Sequence, residues 1–507
     1  MNASSGAESR RLARAAGGQG AAASGAGGHV AGAQKAGAQA GEPIEQTLYE
    51  VRRKIQARSV SGHFANWRIA MVAATQLLFY GLPWLQWNGR QAVLFDLGAR
   101  KFYLFGMVLW PQDVIYLTLL LVASALGLFL FTAVAGRLFC GYACPQTVYT
   151  EIFMWVERLV EGDRSARLRL DAAPWSLRKL HAKALKHGLW LAIGAWTGFT
   201  FIGYFSPIRG LGAGVLAGSL GPWQWFWLAF YSFATWGNAG FMREQVCKYM
   251  CPYARFQSVM VDSDTYVVTY DWKRGEPRGG RSRKVDPRAQ GLGDCVGCSI
   301  CVQVCPTGID IRDGLQYECI GCAACIDGCD QVMDKMGYAR GLIRYTSERG
   351  IRDGLSARQV RRRTLRPRVL AYAGLWLALI AVFAGMLATR SPLRVDVIRD
   401  RSVLAREVEG GLIENVYSLQ LMNSTERPMT VTVRADGIEA LRIGDLQPGA
   451  PAVIELAPAS NRLWPVRLAV PVGAAEAGTH TIHFELQAQA GGQEKRLAEK
   501  SSFIIPE

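Results

Sequence analysis

Histidine is scarce in this chain, with six in 507 residues. None lies inside an apolar run long enough to cross a bilayer, so a haem held between such runs has no axial imidazole. No glycine-rich fingerprint joins a strand to a helix. The run from Gly210 to Gly221 sits in a loop without that context, and this argues against a nicotinamide bound to the chain. Cysteine is missing before Cys140 and after Cys329, so the C-terminal part must hold its core without a disulfide. Residues 1 to 42 are Gly, Ala and Ser with scattered Arg, a composition that buries no core and should be disordered. They also lack the continuous apolar segment of a signal peptide. Acidic residues are the minority, 41 against 57 Lys and Arg, for a net charge of +16. The basic residues gather beside apolar spans, where lipid and topology account for them. No basic helix or aromatic-interleaved patch points to nucleic acid.

The cysteines that are present follow a strict pattern. Cys295, Cys298, Cys301, Cys305 and Pro306 read C-x2-C-x2-C-x3-C-P, and Cys319, Cys322, Cys325 and Cys329 repeat the spacing. This is the two-cluster ferredoxin pattern of bacteria, in which the fourth thiolate of each motif serves the other cluster. The spacing therefore assigns Cys295, Cys298, Cys301 and Cys329 to one [4Fe–4S] cluster, and Cys319, Cys322, Cys325 and Cys305 to a second. Zinc ribbons use pairs of C-x2-C rather than triplets with a trailing C-x3-C. The second motif departs in one respect: Asp330 stands where the first has Pro306, which affects the local turn and leaves the ligand set intact.

Half of the residues are hydrophobic. Five apolar runs are long enough to cross a bilayer: Ile69 to Trp87, Val114 to Ala135, Gly188 to Phe205, Trp223 to Met242 and Val369 to Ala388. Lys and Arg crowd the segment Glu157 to His187 and the stretch Arg361 to Arg368. The positive-inside rule then puts the N-terminus and all cysteines on the cytoplasmic side and the C-terminus outside. Thiols used as cluster ligands belong in that reducing compartment. Beyond the fifth run, Asn415 to Leu421, Met429 to Arg434, Ala452 to Leu456, Arg462 to Val470 and Thr479 to Leu486 alternate apolar and polar residues. That pattern predicts an antiparallel β-sandwich of about seven strands, Ig-like in class. The expected organisation is a disordered tail (1–42), spans one to four (43–260), a cytoplasmic 2[4Fe–4S] ferredoxin domain (261–360), a basic segment with span five (361–390) and a periplasmic sandwich (391–507). The chain thus reads as a multi-pass protein of a bacterial inner membrane, a five-helix transmembrane α-bundle carrying two soluble domains.

Two further cysteine pairs lie just after apolar runs. Cys140-Gly-Tyr-Ala-Cys144-Pro145 and Cys247-Lys-Tyr-Met-Cys251-Pro252 both read C-x-Y-x-C-P, an internal repeat at the cytoplasmic interface. Proline suits the first turn of a helix, so Cys144 and Cys251 are expected at helix N-caps, where the dipole favours thiolate. After Pro145 an amphipathic helix is expected, with Val148, Ile152, Trp155, Val156 and Leu159 on its apolar face. If the runs pack together, four sulfurs meet in a set suited to Cu(I) or zinc.

These features together resemble the FixG/RdxA/CcoG family of cytochrome c oxidase accessory proteins. The stretch Tyr270-Asp271-Trp272-Lys273-Arg274-Gly275-Glu276-Pro277-Arg278-Gly279 is similar to a family segment that precedes its ferredoxin cysteines. The resemblance implies a cupric reductase that converts Cu(II) to Cu(I) for assembly of a cbb3-type oxidase. It makes Cys140, Cys144, Cys247 and Cys251 the copper-handling site, and implies assembly factors or a copper transporter as partners. Two other readings remain open: a quinol-linked subunit feeding a partner redox complex, and a metal chaperone or scaffold without turnover. The electron donor is not legible.

Overall fold

A computed structural model describes residues 54–400, 405–408, 410–490 and 493–506. The predicted tail, 1–42, lies outside the described residues.

Helices occupy all five predicted apolar runs. They are His63–Gly81, Val114–Ala135, Leu177–Ile202, Pro222–Gly237 and Pro367–Ala388. Two are long and apolar enough to cross a membrane by themselves, Pro111–Ala135 and Pro367–Ala388, and these two pack together. The others depart from their predicted bounds for local reasons. The first ends six residues before Trp87, where Pro83 enters a 3-10 turn. The third starts well before Gly188, because Ser176 accepts the Lys179 N–H and caps it there. The fourth stops at Gly237, and the chain continues in two π-helical turns, Asn238–Met242 and Val246–Met250. Gly194 and Gly198 let this helix approach the third. A Cβ at either would lie 2.7 Å or less from the Ser232 carbonyl or hydroxyl oxygen.

The predicted amphipathic helix forms over Pro145–Glu161, with Val148 buried and Ile152 and Val156 packed as expected, and the buried face extended towards Phe153. Phe153 is fully buried and stacks on Trp190 at 5.0 Å, while Leu159 is 81% exposed. Leu159 is therefore corrected from the apolar face. The turn opposite Trp190 is occupied by Phe153 and by Glu157, which is buried between Arg167 and Arg243 at 2.7 and 2.8 Å.

Among the described residues the C-terminal sandwich has nine strands, against the expected seven or so. Leu393–Arg399, Arg406–Val408, Leu412–Asn423, Arg442–Ile443 and Asn461–Pro471 form one antiparallel sheet. Met429–Asp436, Ala452–Leu456, Gly478–Ala490 and Gln493–Ile505 form the other. All five predicted stretches lie in strands. Tyr417, Leu419, Val431, Val433, Phe484 and Phe503 fill the space between the sheets with essentially no exposure. That apolar packing replaces a disulfide. The segment between the first two long helices, expected as a loop, instead forms short antiparallel strands, including Val93–Asp96, Lys101–Leu104 and Met107–Leu109.

The cysteine-rich insert is built on the antiparallel pair Val267–Tyr270 and Ile343–Thr346 and on the helices Ile300–Gln303 and Ala324–Met336. The Asp330 departure now has a physical reading. Pro306 follows a first helix of four residues, whereas the second helix runs 13 residues straight through Cys329 and Asp330. Asp330 then accepts the Gly341 N–H at 2.9 Å.

Candidate functional site

The two cysteine motifs shape the backbone alike. Gly297 and Gly321 have φ of +67° and +66°, and Ser299 and Ala323 have φ of 54° and 60°. Each pair flanks the second cysteine of its motif, Cys298 or Cys322. These left-handed residues fold each C-x2-C-x2-C run into a tight loop. One small cavity is lined by Cys295, Cys298, Cys301 and Cys329 among Tyr270, Met333, Leu342 and Ile343. Another is lined by Cys305, Cys319, Cys322 and Cys325 among Val268, Ile309, Ile311 and Ile320. The fourth cysteine of each motif thus lines the cavity of the other motif's triplet. Cys301 borders both cavities, so the two sites adjoin. The donor set in each is four thiols in an apolar shell, which fits a cubane cluster. Cys298 is exposed, whereas Cys295, Cys301 and Cys322 are buried. Burial pushes the free thiols of Cys319 and Cys329 up to about 12, so ligation by them must displace protons.

The C-x-Y-x-C-P cysteines are gathered in space. Each of Cys140, Cys144, Cys247 and Cys251 lies within electrostatic reach of the other three. Cys144 and Cys251 stand at the N-caps of the helices Pro145–Glu161 and Pro252–Met260, with proline next in each. The expected thiolate at Cys144 does not follow, because burial outweighs the hydrogen bonds from backbone N–H groups of the first turn and pushes the thiol up. Burial also takes Cys140 up to about 11 and Cys247 up to about 12. Cys140 Sγ lies 3.4 Å from the side-chain amide of the fully buried Gln257. The repeat is not symmetric. Cys140 is in the short α-helix Leu138–Tyr142, whereas Cys247 is in a π-helical turn closed by Cys251 N–H donating to the Val246 carbonyl at 2.9 Å. Among the described residues, no three His, Cys, Asp or Glu side chains converge tightly enough to hold a single metal ion.

The two constellations meet at the Cys319–Cys325 loop. A Cβ on Gly141 would lie 2.8 Å from the Ile320 carbonyl oxygen and 2.9 Å from the Cys322 backbone. Only glycine therefore fits this point of the first motif, while Lys248 holds the matching point of the second and pairs with Glu318 at 3.2 Å. Arg68 donates to the Cys322 carbonyl at 2.9 Å. Arg137 donates to the carbonyls of Tyr317, of Cys319 at 3.5 Å and of Ala254 at 2.9 Å, clamping the loop to the helix after Cys251. A cavity of about 120 Å³ is lined by both Cys322 and Cys247, and also by Glu151 and Glu244. Neither Arg68 nor Arg137 stands out in the sequence from the other basic residues beside apolar runs. Gln257 carried no signal at all, since burial of a lone amide depends on which helix covers it.

Two cysteine-lined cavities, a thiol quartet and a β-sandwich define an iron–sulfur protein of the dicluster ferredoxin class with an appended Ig-like domain. Comparison with known proteins agrees. Residues 242–348 match the family described as a 4Fe-4S dicluster domain, and residues 117–162 one described as a 4Fe-4S binding domain. Residues 383–506 match the IG-like fold at the C-terminus of FixG. "Nitrogen fixation protein FixG" of Rhizobium meliloti is 37% identical, over 90% of this chain and 94% of its own length. "Protein RdxB" of Cereibacter sphaeroides is 40% identical, over 88% of this chain and 95% of its own. The crystal structure of a FixG-related protein from Vibrio parahaemolyticus is 24% identical, covers 23% of this chain and 97% of its own, and has a TM-score of 0.20. The chain belongs to the FixG/RdxA/CcoG family.

Proposed function

We propose that this protein is a five-span electron carrier of a bacterial inner membrane that reduces Cu(II) to Cu(I) for assembly of a cbb3-type oxidase. Cys295, Cys298, Cys301 and Cys329 hold one [4Fe–4S] cluster, and Cys305, Cys319, Cys322 and Cys325 the other. Bound there, the clusters supply one-electron transfer. The chain's own residues do the rest. Apolar side chains keep water from the thiolates, Arg68 and Arg137 fix the Cys319–Cys325 loop, and the thiol quartet receives the metal substrate. Thiolates favour Cu(I) over Cu(II), so electron transfer towards copper held by Cys140, Cys144, Cys247 and Cys251 runs downhill. The observation that carries this reading is the cavity lined by both Cys322 and Cys247. A loosely gathered quartet suits a metal that must arrive as one ion and depart as another. Assembly factors or a copper transporter would then take the Cu(I).

Exposed apolar side chains on the other three helices, among them Leu77 at 79%, Leu191 at 37% and Phe233 at 59%, support lipid contact along all five. The sandwich docks on the segment between the first two spans, while the cysteine insert docks at the other ends of those spans. That separation supports a periplasmic sandwich and a cytoplasmic ferredoxin unit. The test adds Cu(II) and a Cu(I)-specific chromogenic chelator to anaerobic protein with reduced clusters. Cluster oxidation and Cu(I) formation should run in step, and a variant lacking the four quartet cysteines should lose both. Unchanged rates in that variant would remove copper from the reading.

A further inference from the structure

A second, larger cavity of about 640 Å³ lies where the helices His63–Gly81, Val114–Ala135 and Leu138–Tyr142 meet. Its size is that of sites for small organic ligands. Trp67, Met71 and Phe131 give it an apolar, aromatic wall on the side of the long helices. Four further ring groups with polar atoms lie in the lining: His63, Tyr142, Tyr266 and Tyr345. Trp67 donates its indole N–H to His63 Nε2 at 3.2 Å, which leaves Nδ1 of the neutral imidazole as the donor. Tyr142 donates to the Cys322 carbonyl at 3.5 Å, and Tyr345 to the Gly321 carbonyl. One hydrogen bond therefore separates the cavity wall from the Cys319–Cys325 loop.

The lining chemistry selects the occupant. It contains no Lys, Arg, Asp or Glu, so a nicotinamide or flavin nucleotide finds no partner for its phosphates. A lipid acyl chain would fill the apolar part but offer no acceptor to the imidazole Nδ1–H and no donor to the phenol oxygens. A flat, apolar ring bearing two hydroxyls matches both parts.

We propose that this cavity binds the ring of a membrane-dissolved quinol and is the port through which electrons reach the clusters. The proposal rests on the reading of Cys305, Cys319, Cys322 and Cys325 as a cluster ligand set, and it supplies the missing donor. Both O–H bonds of the quinol break, and it leaves as the quinone after losing two protons and two electrons. One electron goes to each cluster, and two Cu(II) ions then take one electron each to become Cu(I). The two protons are released to solvent on the exposed His63 side of the cavity.

The test uses full-length protein with both clusters assembled, held anaerobically in lipid nanodiscs and mixed with decylubiquinol. Bleaching of the visible iron–sulfur absorbance is followed, and dithionite serves as a donor that needs no pocket. Decylubiquinol should bleach the wild type. Met71→Trp, which fills the cavity, and His63→Phe, which removes the Nδ1 donor to the quinol oxygen, should each slow that bleaching by roughly tenfold or more, while dithionite still bleaches both variants. Wild type bleached by dithionite and untouched by decylubiquinol would overturn the proposal. So would variants that both respond to decylubiquinol at the wild-type rate. Wild type without iron–sulfur absorbance would overturn the cluster reading, and the proposal with it.

Discussion

Gly141 shows what a single residue decides in this protein. Its Cα faces the backbone of Ile320 and Cys322 so closely that a methyl group would lie under 3 Å from both, and those atoms belong to a loop that cannot retreat without moving Cys322. Gly141→Ala should cost about 1–3 kcal/mol, the range for overpacking, and the loss should fall on the cluster beside Cys322. Iron content per chain is the measurement, with a drop towards one cluster as the expected outcome. Gly374, in the helix Pro367–Ala388, has open space where a methyl group would stand, with nothing within 4 Å, so Gly374→Ala should keep full iron content.

At the scale of elements, two buried carboxylates decide how helices meet. Glu157, on the helix Pro145–Glu161, joins Arg167 to Arg243, and Arg243 precedes the π-helical turn that carries Cys247. Glu157→Ala would strand two guanidinium groups and should cost about 3–5 kcal/mol. A lowered melting temperature with slower Cu(I) formation is expected, and unchanged melting would show that the pair contributes nothing. Asp327 acts across elements. It stands on the helix Ala324–Met336 and accepts the N–H groups of Phe64 and Ala65 at 3.2 and 2.7 Å. It thereby caps the start of the helix His63–Gly81 and fastens the cluster unit to it. Asp327→Ala should cost about 1 kcal/mol, the usual value of a lost N-cap, and should raise hydrogen exchange at Phe64 and Ala65.

Across the whole molecule, the sandwich is held to the first inter-helix segment rather than tethered by one helix alone. Asp113, almost fully buried, pairs with Arg390 and Arg394 at 2.6 and 2.7 Å. Glu426 accepts from Trp87 at 3.1 Å, and from Asn88 and Arg90. Val108 and Trp110 pack on Met422. Asp113→Ala should cost about 3 kcal/mol at this joint, read as faster proteolysis near Arg390 with the cluster absorbance unchanged. Equal cleavage rates would show that the joint is not what holds the sandwich.

The sequence alone pointed to iron–sulfur domains, the helix caps at Cys144 and Cys251, the presence of a helix in each apolar run and the sandwich class. Those features depend on spacing and periodicity, which are local or repeat at fixed intervals. Only the tertiary structure decided which residues hold these parts together. Gly141 against Cys322, Arg137 between two motifs, Gln257 beside Cys140 and Asp327 at Phe64 are contacts between segments far apart in the chain. The tilt and rotation of packed helices set such contacts, and no period in the sequence encodes them. Leu159 failed for the same reason: an apolar stripe says that a helix has a buried face, but the neighbour, here Trp190, chooses which one.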